Sequence, residues 1–129
     1  MLAKGTFIVQ LSPLEYSHSS PEHLQMGRLR IEKTFEGDLQ ANSLGEMLSA
    51  RNTSAGSAGY VAMEYLNGKL NGKSGCFALQ HFGTMTKDQS QLILEIVPGS
   101  GTGELSGISG KMSIDQTDGT HHYSLEFIL

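Results

Sequence analysis

The chain has 129 residues, with 9 basic and 13 acidic side chains, a net charge of −4 and a pI near 5.7. That length makes one domain, residues 1–129, able to bury about two-thirds of its unfolded surface. The scattered basic residues argue against a nucleic-acid partner, which needs clustered Lys and Arg, and the single cysteine, Cys76, excludes an internal disulfide.

Thr6 to Leu11 is a short β-rich run. Its apolar part, Phe7 to Leu11, is too short for a signal peptide, and no segment approaches the ~20 apolar residues that cross a bilayer. A cytoplasmic protein with no membrane partner is therefore expected. Residues 12–27 carry Ser12, Pro13, Ser17, Ser19, Ser20 and Pro21, a polar, breaker-rich loop in which Pro21-Glu22-His23-Leu24 can form one helical turn. Leu29, Ile31 and Phe35 then alternate with Arg28, Arg30, Glu32, Thr34 and Glu36, the period of a strand. Arg28, Arg30 and Lys33 form the densest basic group and read as strand charge presented to water.

Turn signals follow at Gly37-Asp38 and from Asn52 to Gly59. The clearest local unit runs from Tyr60 to Thr86. Asn71-Gly72 predicts a two-residue type I′ hairpin turn, for which φ > 0 is needed at both positions. Opposed residues then pair Leu66 with Phe77, Glu64 with Leu79, Ala62 with His81 and Tyr60 with Gly83. Glu64 and His81 fall on one face, diagonally, ~7–8 Å apart at Cα and within side-chain reach. Asn67-Gly68 is a competing turn or bulge, and a slip of one residue would undo every pairing. The opposite face carries Val61, Met63, Tyr65, Cys76, Ala78 and Phe82. With one apolar face lining the interior, this second one needs a cover: the 12–27 loop, or a second subunit in a homo-oligomer.

Lys87-Asp88 and Asp118-Gly119 are further turns, and Leu92 to Val97 a further strand. Val97 to Gly110 holds a cluster of glycines and predicts a sheet turning a corner. A phosphate cradle is the weaker reading, because no helix-forming segment follows. Tyr123, Leu125, Phe127 and Leu129 alternate with His122, Ser124 and Glu126. About eight strands at this spacing make an all-β barrel or sandwich.

Phe77-Ala78-Leu79-Gln80-His81-Phe82-Gly83-Thr84, the Val97–Gly110 stretch, Gly5-Thr6-Phe7, Phe35-Glu36-Gly37-Asp38 and His122-Tyr123-Ser124-Leu125 together resemble a bacterial family of uncharacterised single-domain proteins with an allene-oxide-cyclase-like β-barrel. The resemblance covers nearly the whole chain. It implies a closed antiparallel barrel of about eight strands. It brings no established activity; plant allene oxide cyclases and dirigent proteins, which share the architecture, hold apolar molecules in or against the barrel, and fold alone does not carry that chemistry over.

Glu64 with His81 is the best chemical candidate, since a carboxylate beside an imidazole positions a proton or a ligand's polar group. The alternative is a purely structural pair. Tyr60, Tyr65 and Tyr123, with Phe77 and Leu79 beside the pair, line a pocket or fill a core. Cys76 lies across the sheet from His81, so no Cys–His nucleophile is expected. His121 and His122 face opposite ways, and His18 and His23 beside Glu22 are a thin basis for zinc. Neither metal nor cofactor is expected. Three functions remain open: a barrel binding an apolar small molecule, an isomerase or cyclase steering an apolar substrate, and a packed barrel with a structural role.

Overall fold

The computed structural model describes residues 1–129. Eight strands form one closed antiparallel barrel in chain order: β1 (Leu2–Leu14), β2 (Gln25–Gly37), β3 (Leu39–Asn52), β4 (Ser57–Leu70), β5 (Lys73–Met85), β6 (Ser90–Ile96), β7 (Ser109–Thr117) and β8 (Thr120–Ile128). Antiparallel pairing of β1 with β8 closes it, and the amino terminus and Phe127 exchange backbone hydrogen bonds of 2.9 Å. No helix is long and apolar enough to cross a membrane.

Asn71 and Gly72 take φ of 48° and 82°, the left-handed values of a type I′ turn. The β4–β5 register follows from it as the sequence predicts: Leu66 opposite Phe77, Glu64 opposite Leu79, Ala62 opposite His81, Tyr60 opposite Gly83. Asn67-Gly68 is neither turn nor bulge; both residues stay in β4 and pair on either side. Between the long strands β1 and β2, residues 15–24 hold only one turn, closed by Leu24 N donating to Pro21 O. That loop folds onto β2, where Arg28 reaches Glu15 O and Met26 N reaches Ser20 Oγ. It leaves the outer face of β4 and β5 uncovered.

The glycine-rich stretch is not a corner within the sheet. It is a crossing loop containing a single 3-10 turn, Gly103–Leu105. β6 pairs with β5 only from Leu79 to Met85, so the first half of β5, paired with β4 on one side, lacks a strand on the other. The loop supplies the missing partners. Val97 N donates to Ala78 O, Ala78 N to Ser100 Oγ, Thr102 N to Cys76 O, Cys76 N to Thr102 Oγ1 and Ser74 N to Glu104 Oε1. Leu105 and Ile108 drop from it into the barrel end.

The two ends therefore differ. At the end with Gly37-Asp38, Asn71-Gly72 and the crossing loop, the lumen is packed with Phe35, Leu39, Leu66, Leu70, Phe77, Leu79, Leu105, Leu125 and their neighbours. At the other end β2 to β5 rise beyond that core, and their inward side chains enclose open space. Phe82 points out and Gly83 in, and the Tyr60 ring lies over Gly83. A Cβ there would meet ring carbons at 2.4 and 2.8 Å. Gly83→Ala should cost about 1–3 kcal/mol in denaturant unfolding, as overpacking does. A Tyr60→Ala background should recover most of that loss, because the clash is with one ring.

Candidate functional site

Along β2, Leu29, Ile31, Lys33 and Phe35 share one parity, and all four face inward. Lys33 is thus not solvated strand charge, unlike Arg28 and Arg30, which reach Glu46 and Glu32 on the surface. It is 7% exposed, with its ammonium 3.1 Å from Glu64 Oε1 and 4.7 Å from the centre of the Phe7 ring. Glu64, on β4, is 1% exposed. Its Oε2 accepts from Ser43 Oγ of β3 at 2.6 Å, and its Oε1 also meets His81 Nε2 of β5 at 2.8 Å. Four neighbouring strands thus each give one inward side chain to a single network. No buried side-chain nitrogen or oxygen is left without a partner, as burial of charge requires.

The partners assign the protons. Burial alone raises the Glu64 carboxyl pKa. The hydrogen bond from His81, the Lys33 ammonium, the Ser43 hydroxyl and the charge of His81 outweigh it and hold the group below the usual carboxylate range. An ionised Glu64 only accepts, so His81 Nε2 carries hydrogen. Nδ1 then faces the Tyr60 hydroxyl at 3.4 Å. In the neutral imidazole Nδ1 accepts from Tyr60. A proton added at Nδ1 reverses that bond and frees the phenol hydrogen for another acceptor. Burial first, and the Glu64 charge second, raise the Tyr60 pKa, so the phenol stays protonated.

Tyr60 is half-buried and belongs to the open end. There a cup of about 370 Å³ is lined by residues of β2 to β6: Leu29, Met47, Arg51, Ala58, Tyr60, Gly83 and Leu92 among the inward ones, with Gly59 and Thr84 of the outward row also bordering it. A groove of about 530 Å³ on the outer wall, between Ile8, Leu44 and Tyr65, does not reach Tyr60. Carboxylate, imidazole and phenol so form a relay whose last member lines the cup.

The structure brings together Glu64, His81 and Tyr60 of the residues singled out from the sequence. It places the other four elsewhere, and Tyr65 points outward, 54% exposed. Phe77 and Leu79 fill the packed half and line no part of the cup. Tyr123 sits at the closed end, where its hydroxyl accepts from Leu39 N at 2.8 Å and donates to Glu36 O at 2.9 Å. Phe77, Leu79 and Tyr123 all belong to the buried core cluster, so of the two roles open from the sequence, lining a pocket or filling a core, the structure places them in the second. Lys33 and Ser43 were missed. The parity of Leu29, Ile31 and Phe35 was a signal for Lys33; Ser43 lies in a polar segment whose strand character the sequence barely shows. Cys76 is on the outer side and donates to Asn67 Oδ1. His121 stacks on Phe7 at 5.0 Å while His122 is exposed.

Glu64→Gln leaves the Lys33 ammonium buried without a counter-charge and should cost about 3–5 kcal/mol at pH 7. Because folding lowers the Glu64 pKa, its contribution is complete above the ordinary carboxylate pKa of about 4.3 and is lost as pH falls through the lower folded value. Urea unfolding should accordingly show the gap between wild type and Glu64→Gln narrowing towards about pH 3. A gap that stays constant from neutral to acid pH would mean that Glu64 is not ionised in the fold.

Known proteins offer the same barrel. No curated protein matches the chain. A crystal structure of a protein with unknown function from the DUF3224 family of Shewanella oneidensis MR-1 is 46% identical and superposes with a TM-score of 0.96, covering 100% of this chain and 97% of that one. The family model described as a protein of unknown function, DUF3224, matches residues 3–127. The chain, a closed eight-stranded barrel from end to end, belongs to the DUF3224 family.

Proposed function

We propose that this protein is a small-molecule binding barrel, holding one small, largely apolar molecule in the cup at its open end. Tyr60, backed by His81 and Glu64, orients the molecule through one hydrogen bond. The observation that carries this reading is the junction of the cup with the relay: a cavity of about 370 Å³ whose wall includes the one phenol hydrogen-bonded to the buried pair. That volume suits a small ligand, and an apolar lining with a few aimed polar groups is the usual character of such sites. Energetics support the reading as well. A buried ion pair adds little net stability compared with apolar packing, so Lys33, Glu64 and His81 are better explained by what they do for Tyr60.

The second reading is an isomerase or cyclase acting on an apolar substrate in the same cup. It draws on the same relay, in which Tyr60 exchanges a proton with the substrate and the imidazole takes up or returns it, stabilised by the Glu64 carboxylate. A packed barrel with a purely structural role is the reading that empties the cup of meaning.

Titration with 1-naphthol and naphthalene separates them. Wild type should bind both saturably, one per chain. Tyr60→Phe should weaken 1-naphthol roughly three- to tenfold, the effect of one hydrogen bond, and leave naphthalene unchanged. Ala58→Trp, which fills the cup, should abolish both. Equal binding of both probes by wild type and Ala58→Trp would remove the cup from the proposal.

A further inference from the structure

The outer wall of the barrel carries an apolar row that no part of the chain covers. Leu48 pairs with Val61, Val61 with Phe82 and Phe82 with Ile93, so one line of side chains crosses four adjacent strands, β3 to β6. All four point outward and are 39–49% exposed. Met63 and Tyr65, each 54% exposed, extend the patch along β4. At roughly 100 Å² apiece, six half-exposed side chains present on the order of 600 Å². That is at the upper limit of the patches found on monomers and approaches the ~800 Å² per partner of a standard interface.

We infer that this face joins two copies of the chain in a symmetric dimer whose two-fold axis runs along the Leu48–Val61–Phe82–Ile93 row. Charge and shape select this occupant. The six residues include no acid or base that is charged at neutral pH, so a strongly charged partner surface has nothing to match. The neighbouring row, Glu46–Met63–Gln80–Glu95, has a carboxylate at each end, Glu46 held by Arg28 and Glu95 opposite Lys111. A two-fold axis along the strands would set Glu46 against Glu95 of the second copy. An axis along the apolar row instead sets that neighbouring row against Ala50–Gly59–Thr84–Gln91, which is uncharged and small where Met63 is large. Val61 then meets Val61, Phe82 meets Phe82, and the projecting Met63 lies over Gly59 of the other copy. Two sheets meeting in this way pack face to face, ~10 Å apart, as in a β-sandwich. The interface is isologous, as in most soluble homodimers.

Sedimentation velocity tests this arrangement with Val61→Lys and Val61→Glu, both at an exposed position, after circular dichroism has shown each to be folded. Wild type should sediment as a dimer. Each variant alone should raise the dimer Kd at least about tenfold and sediment as a monomer at the same concentration. An equimolar mixture of the two should sediment as a dimer again, because position 61 meets itself across the axis. A monomeric wild type would overturn the inference, including one that instead co-floats with neutral phosphatidylcholine vesicles. So would a dimer unaffected by either variant, or a mixture that stays monomeric.

Discussion

Closing eight strands into a barrel leaves a lumen just wide enough for side chains to fill or for one small ligand, and that limit orders the rest of this structure. Each wall contributes one layer of inward residues, so a large side chain on one strand requires small ones opposite. At the closed end Phe35, Phe77 and the leucines take all the room. Halfway up, Ser43, Gly45 and Ala62 are small, and the space they leave is where Lys33, Glu64 and His81 converge. A charge in so narrow and dry a place has to find its partner within the lumen. The Lys33–Glu64 pair does so, with Ser43 and His81 completing the carboxylate's partners.

Unequal strands turn the remaining lumen into a cup. β1 to β5 run 13 or 14 residues, β6 only 7 and β7 and β8 only 9. The glycine-rich loop after β6 makes up the shortfall at one end and plugs it with Leu105 and Ile108. At the other end nothing plugs the barrel, and the tall wall of β2 to β5 stands open. Tyr60 bridges the two regimes. Its ring rests on Gly83 at the floor of the cup, while its hydroxyl reaches down to the buried imidazole. The same alternation of the strand that sends Gly83 and His81 inward sends Phe82 outward, so the cup and the apolar outer row are opposite faces of the wall formed by β3 to β6.

How much of this was legible differs from element to element, for a physical reason each time. The β4–β5 register was readable because a type I′ turn at Asn71-Gly72 fixes every pair that follows it. From that register came the shared inward face of Glu64 and His81. Lys33 was readable in principle, from the parity of Leu29, Ile31 and Phe35, but its charge argued for water and its partner lay on a strand 31 residues away. β3 was hard to see at all, since Gln40, Asn42, Ser43 and Glu46 carry little of a strand's apolar signal.

The sequence by itself determined what depends on neighbours along the chain: the period of two, the tight turns, the hairpin register, and so an all-β chain with Glu64 beside His81. Only the tertiary structure decided what depends on how many strands close and how far each one extends. Those two quantities set which end of the lumen is filled, and so they make Phe77, Leu79 and Tyr123 core residues while Tyr60 faces open space. They also bring Lys33 and Ser43 to Glu64. A lumen is defined by residues facing across it from strands far apart in sequence, and local alternation carries no information about what stands opposite.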